Sequence, residues 1–134
     1  MYSGSCACGE IAYQYGVEPA VTALCHCTVC QKWSGSGNSV NVGVPAAEFK
    51  VTKGAAKKYT SKANSGANHH RYFCSNCGSS VYSEMDGMAG TTFVKAGTLD
   101  NGANDIPVKI EFFTSKRCGY AAPVEGAQQL QTMS

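Results

Sequence analysis

Eight cysteines stand in 134 residues, and seven of them fall in three tight groups. Cys6-Ala7-Cys8, Cys25-His26-Cys27-Thr28-Val29-Cys30 and Cys74-Ser75-Asn76-Cys77 bring thiols close together along the chain, and Cys118 stands alone. Scattered reduced thiols would not cluster in this way. A disulfide framework would need an oxidising compartment, and eight cysteines leave its pairing open. The spacing points to metal instead. Two thiolates on one tight turn reach one ion, and a structural zinc takes four ligands in a tetrahedron with Zn–S near ~2.3 Å. Glycine eases such a turn because it tolerates positive φ, and Gly9 and Gly78 follow two of the groups. Cys6, Cys8, Cys74 and Cys77 are therefore expected to form one closed structural zinc site, supplying ~10 kcal/mol or more of folding free energy.

Cys25, Cys27 and Cys30 remain. Three protein ligands with one open position is the pattern of catalytic zinc. A sulfur-rich site is soft and suits a thiolate as fourth ligand, and zinc deprotonates a coordinated thiol. Such a site would hold a small thiol as thiolate at neutral pH and present it to an electrophile. Two zinc ions per chain are expected on this reading. Closure by Cys118 or a histidine would make the second site structural instead, and absence of a second metal is the remaining alternative. With seven thiolates and two Zn²⁺ the formal charge moves from +2 to about −1.

Short alternating segments must position these groups. Ile11, Tyr13 and Tyr15 alternate with smaller or polar residues, and Val40, Val42 and Val44 alternate with Ser39, Asn41 and Gly43 before Pro45. Period-two alternation predicts half-buried strands. Further strands are expected in 21–24, 49–52, 57–61, 71–74, 80–83, 92–96 and 108–113, with 49–52 and 57–61 joined by a turn at Gly54. Helix is limited to about one turn at 28–33 and one near 125–130. Residues 64–68 and 100–104 read as loops, and 128–134 as a polar surface tail. The fold class is mainly β, one domain over 1–134.

Composition excludes other classes. The charge of +2 comes from 11 Lys+Arg and 9 Asp+Glu, too weak an excess to mark a nucleic-acid or membrane partner. Lys50, Lys53, Lys57, Lys58 and Lys62 form a basic run that a solvated hairpin edge explains. No apolar run approaches the ~18 residues of a membrane span. The first residues, Met1-Tyr2-Ser3-Gly4, carry no signal-peptide pattern, so a cytoplasmic location is expected.

Gly4-Ser5-Cys6-Ala7-Cys8-Gly9, the run from Cys25 through Gln31-Lys32-Trp33-Ser34-Gly35, Arg71-Tyr72-Phe73-Cys74-Ser75-Asn76-Cys77-Gly78-Ser79 and Ala96-Gly97-Thr98-Leu99-Asp100 together resemble the glutathione-dependent formaldehyde-activating (GFA) enzyme family. That family also includes centromere protein V. The order and spacing hold over 4–115. The resemblance implies a β-tent zinc-binding fold, also shared with a small Rab-binding guanine-nucleotide release factor. It implies structural zinc on Cys6, Cys8, Cys74 and Cys77, and catalytic zinc on Cys25, Cys27 and Cys30. It implies a carbon–sulfur lyase that joins formaldehyde to glutathione as S-hydroxymethylglutathione.

The supporting residues each have two readings. His26 is a proton donor to the new alkoxide or a satisfied structural histidine. Arg71 grips a substrate carboxylate or stabilises its own strand. Gln31, Lys32 and Ser34 follow the cysteines and are expected at a pocket rim, while Trp33 is a core residue or a substrate platform. The expected partners are small-molecule thiol and carbonyl substrates. The competing class is a non-catalytic, zinc-stabilised protein-interaction module.

Overall fold

Short Val- and Tyr-rich segments with one buried face form the strands of a mainly β protein. The computed structural model describes residues 1–63, 65–88, 90–104 and 106–133. Asn64 of the first expected loop and Ser134 of the expected tail lie outside them. β1 (Tyr2–Ser5), β2 (Ala12–Tyr15) and β3 (Val21–Cys25) lead to α1 (Thr28–Ser34). β4 (Ser39–Pro45), β5 (Phe49–Lys53), β6 (Lys57–Lys62), β7 (Asn68–Phe73), β8 (Ser80–Met85), β9 (Thr91–Lys95), β10 (Ile110–Phe112) and β11 (Gln128–Gln129) follow.

The strands divide into two sheets. β1-β2-β5 form the smaller one, and the larger has the order β11-β10-β3-β4-β9-β8-β7-β6. Alternation assigns the two faces of the larger sheet to different tasks. Val42, Val44 and Val94 point into the core, where they join Ile11, Tyr13 and Tyr15 of the smaller sheet's side. The intervening residues, Asn41, Gly43, Phe93 and Lys95, line a cavity on the other face.

Two expectations are corrected. Residues 49–52 and 57–61 are strands, but Gly54 does not join them into a hairpin. β5 pairs with β2 and β6 with β7, so the chain crosses there from one sheet to the other. β6 is then an edge strand, and its lysines, exposed in the structure, suit an edge that must not pair further. The segment near 125–130 is not helical. Gly126 takes φ 81°, and Gln128 N–H and Leu130 N–H donate to Lys109 O and Glu111 O at 2.8 and 2.9 Å. The exposed backbone edge of β10 outcompetes a single helical turn. The expected surface tail is largely exposed and is tied to the sheet, because Phe113 N–H donates to Thr132 O at 3.2 Å and Ser115 Oγ–H to Gln131 O at 2.9 Å.

Candidate metal centre

Two groups of sulfurs converge among the described residues. Cys6, Cys8, Cys74 and Cys77 form one and Cys25, Cys27 and Cys30 the other, each with its ligand atoms within 4.8 Å of one another. A tetrahedron with metal–sulfur bonds of ~2.3 Å has sulfur–sulfur edges of about 3.8 Å. Cys6 Sγ lies 3.6 Å from Cys8 Sγ, and Cys8 Sγ 3.7 Å from Cys74 Sγ. This group fits a four-coordinate metal.

Backbone N–H groups aim at the sulfurs. Ile11 N–H donates to Cys6 Sγ at 3.2 Å and Cys77 N–H to Cys74 Sγ at 3.5 Å. The turns close through Gly9 and Gly78, at φ 80° and 79°, whose N–H groups donate to Cys6 O and Cys74 O. A β-carbon is disfavoured there. Cys6 and Cys74 are buried, 2% and 1% exposed, and belong to the main hydrophobic core.

The three-sulfur group sits where β3 ends and α1 begins. Cys27 is the N-cap of α1, its Sγ accepting from Cys30 N–H at 3.3 Å. Gly35 ends the helix at φ 68°, its N–H on Gln31 O. One turn of helix therefore brings Cys30 back over Cys25. Hydrogen bonds from Cys25 and Cys27 hold the Cys30 thiol down to about 2, and hydrogen bonding to Cys27 and Cys30 pushes Cys25 up. Cys118 does not join this group. It lies near Gly37, so closure of the site by Cys118 is not what the fold builds.

A cavity of about 280 Å³ opens beside these sulfurs, with Cys25, Cys30, Arg71, Lys95 and Trp33 in its wall. Arg71 is 4% exposed. Its Nη1–H donates to Ser61 Oγ at 2.9 Å, and its guanidinium carbon lies 5.7 Å from the Trp33 ring centre. Lys95 Nζ donates to Asn41 Oδ1 at 2.5 Å, and burial brings its amine down to about 8. His69 shares the wall; burial, then Arg71, holds it down to about 4. Both Arg71 and Lys95 feel the negative charge of Cys25, Cys27 and Cys30.

The other expected residues have different places. His26 is 2% exposed and lies across the sheet from Cys25, its Nε2 2.7 Å from Glu111 Oε1. Its Nδ1 is buried with no hydrogen-bond partner among the described residues, and neither His26 nor Glu111 lines the cavity. Gln31 Nε2 donates to His26 O at 2.9 Å and to Lys116 O at 3.3 Å, which pins the 114–117 segment rather than a pocket rim. Lys32 is exposed and away from the cavity wall. Trp33 is half-buried against Tyr59 and Phe73, and Ser34 lines a second, larger cavity that shares Trp33 and Lys95 with the first. Lys95 and Glu111 escaped sequence reasoning. Only the strand alternation around each could have flagged an ionisable residue on a buried face.

A mainly β protein with one four-cysteine and one three-cysteine metal-type centre, the second open to a cavity, is the class that fold and site define. The chain belongs to the glutathione-dependent formaldehyde-activating enzyme family, whose model matches residues 1–116. It is 26% identical over 98 residues to an uncharacterized lyase of Schizosaccharomyces pombe, a match covering 71% of this chain. The chain spans 66% of the length of that relative. A crystal structure of a Rhodobacter sphaeroides protein shares the fold, with a TM-score of 0.60 at 18% identity over 73% of this chain and 87% of the other. No helix among the described residues is long and apolar enough to cross a membrane.

Proposed function

We propose that this chain is a zinc-dependent carbon–sulfur lyase that forms or cleaves adducts between a glutathione-like thiol and a carbonyl compound. Zinc held by Cys25, Cys27 and Cys30 would supply an open coordination position at which a thiol is kept as thiolate. One observation carries the reading: Cys25 and Cys30 of the three-sulfur group form part of a cavity wall that also holds two cations, the buried Arg71 and the half-buried Lys95.

Charge balance supports it. Three thiolates around a divalent ion leave a net charge of about −1, and Arg71 and Lys95 beside them add two positive charges. The pocket is thus short of one negative charge, which an incoming thiolate provides. Arg71 is held by Ser61 and Trp33, so its position is fixed before substrate arrives. Lys95 Nζ–H can donate to a carbonyl oxygen as the S–C bond forms and the C=O electron pair moves onto oxygen, where buried donors act most strongly. The oxygen then takes the proton that the thiol gave up, and the atoms balance without an oxidant. His26, held by Glu111 on the opposite face, orients the cysteine segment rather than moving this proton.

The test is thiol binding to protein loaded with cobalt in place of zinc. Glutathione should raise the sulfur-to-cobalt absorption of the wild type and leave that of Cys27→Ser unchanged. An unaltered spectrum at saturating thiol contradicts the proposal.

A further inference from the structure

Two cavities meet at Trp33 and Lys95, and their walls differ in chemistry. The larger, about 460 Å³, is bordered by Ser34, Ser36, Asn38 and Ser39. Such hydroxyl and amide groups suit a ligand that hydrogen-bonds along its length, as a peptidic thiol does. The smaller, about 280 Å³, is walled by Val21, Phe93, Met85, Met88 and Phe112. Arg71 and Lys95 are the cations of its wall, beside His69, Ser83 and Thr91, and both already hold partners in Ser61 and Asn41. A tripeptide charged at both ends would lose its hydration against these apolar walls without replacement. Formaldehyde would leave nearly all of the space unfilled.

The register of the large sheet orders this chamber. Cys25 pairs with Ser39, and Ala23 with Asn41, which pairs in turn with Lys95. One step further from the sulfurs, Val21 pairs with Gly43 and Gly43 with Phe93. Along β3, β4 and β9 polar groups thus stand at the sulfur end and apolar groups beyond, while on the far side of the chamber Ser83 and Arg71 continue the Phe93 row. Gly43 keeps the chamber hollow: a β-carbon there would meet Phe93 and Val21 at 3.3 Å.

Resting on the lyase reading above, we infer that the apolar chamber receives the body of an aromatic or medium-chain aldehyde, with its carbonyl carbon at the sulfur end beside Lys95. The thiol enters from the serine-lined side. The product is a hemithioacetal: the thiolate sulfur bonds to the carbonyl carbon, the C=O π bond breaks, and the oxygen is protonated.

Trp33 is the single tryptophan and borders both cavities, so its fluorescence reads occupancy without turnover. Benzyl alcohol, an unreactive stand-in for benzaldehyde, should change that fluorescence saturably in the metal-loaded chain, and methanol should not. In turnover with glutathione, benzaldehyde should exceed formaldehyde in kcat/KM by about tenfold or more. Gly43→Val, which adds three carbons, should lower the benzaldehyde-to-formaldehyde ratio about tenfold or more, since a single extra methylene in a fitted pocket is already worth about tenfold. Should that variant fail to fold, Met88→Glu carries the same test, since Met88 is 41% exposed at the chamber's edge.

No saturable response to benzyl alcohol, or a ratio unmoved in the folded variant, overturns the inference. So does a response to hexanethiol with none to benzyl alcohol, which would give the chamber to the thiol. Formaldehyde turnover without apolar binding sinks this inference alone. Apolar binding with no effect of any thiol on the cobalt spectrum instead sinks the lyase reading and leaves the chamber's chemistry standing.

Discussion

His26 Nε2 lies 2.7 Å from Glu111 Oε1, and the two side chains are only 3% and 1% exposed. The pair joins residues 85 positions apart directly behind the three-sulfur turn. Glu111 Oε2 also accepts from Val124 N–H at 2.8 Å and from Gln129 Nε2 at 2.5 Å. One carboxylate thus fastens the cysteine segment, β10 and the C-terminal segment together.

Removing that carboxylate should be costly. Glu111→Ala is expected to destabilise the protein by about 3–5 kcal/mol, the usual result of deleting one partner of a buried pair. Burial pushes the Glu111 carboxyl up, but hydrogen bonds from His26, Gln129 and Val124 outweigh it and bring the group from 4.5 down to about 2. A depressed carboxyl stabilises the fold above its unfolded value and loses that contribution as pH falls towards the folded one. Denaturant midpoints of the wild type should therefore drop between about pH 4.5 and 2, and those of Glu111→Gln should drop less. Parallel curves would show that Glu111 does not control this range.

Gly4 is a second point of tight fit. An added β-carbon there would overlap Thr98 O and the Tyr13 hydroxyl, which itself lies 2.7 Å from Thr98 Oγ1. Neither neighbour is a free chain end, because Gly4 also bridges Leu99. Gly4→Ala should cost about 1–3 kcal/mol, as overpacking does, and thermal melts of the two proteins read it directly. Equal melting temperatures would mean that β1 can shift without loss.

Local chemistry was legible in the sequence and distant pairing was not. The division of seven cysteines follows from their spacing, since a tight turn with a glycine after it is built from neighbours alone. The alternation of Val40, Val42 and Val44 likewise announces β4, because strand faces repeat every second residue. Lys95 carries no such local mark. Its place beside the sulfurs depends on the Asn41–Lys95 register across 54 residues. Glu111 reads as one polar residue in an apolar strand until His26 is seen behind it. The segment 125–130 misleads because its backbone partners lie on β10, which no window of neighbouring residues contains.

The two cysteine groups should separate on mutation. Cys74 is 1% exposed and part of the core, and its centre links the chain's start to its middle. A structural zinc held there would supply ~10 kcal/mol, comparable to the ~5–15 kcal/mol that holds a domain together. Cys74→Ser should lose its β-sheet circular dichroism at room temperature. Cys27, half-exposed at the N-cap of a seven-residue helix, should tolerate serine: Cys27→Ser should stay folded and bind one metal ion fewer by elemental analysis. Comparable unfolding in both variants would refute the division of labour.

Arg71 and Lys95 should govern thiol affinity without governing metal content. Neither is a ligand, and methionine at either position keeps the length of the stem while removing the charge. Each cation contributes a charge-assisted interaction of about 1.5–3 kcal/mol to an incoming thiolate, and tenfold in affinity corresponds to ~1.4 kcal/mol. Arg71→Met and Lys95→Met should therefore each weaken glutathione binding to the cobalt-loaded protein by about tenfold to a hundredfold. Metal stoichiometry should stay at the wild-type value in both. Arg71→Met should also shift Trp33 emission, because the guanidinium leaves the indole face. Loss of metal along with thiol affinity would recast the two cations as structural counter-charges for the cysteines, and unchanged affinity would remove them from substrate binding altogether.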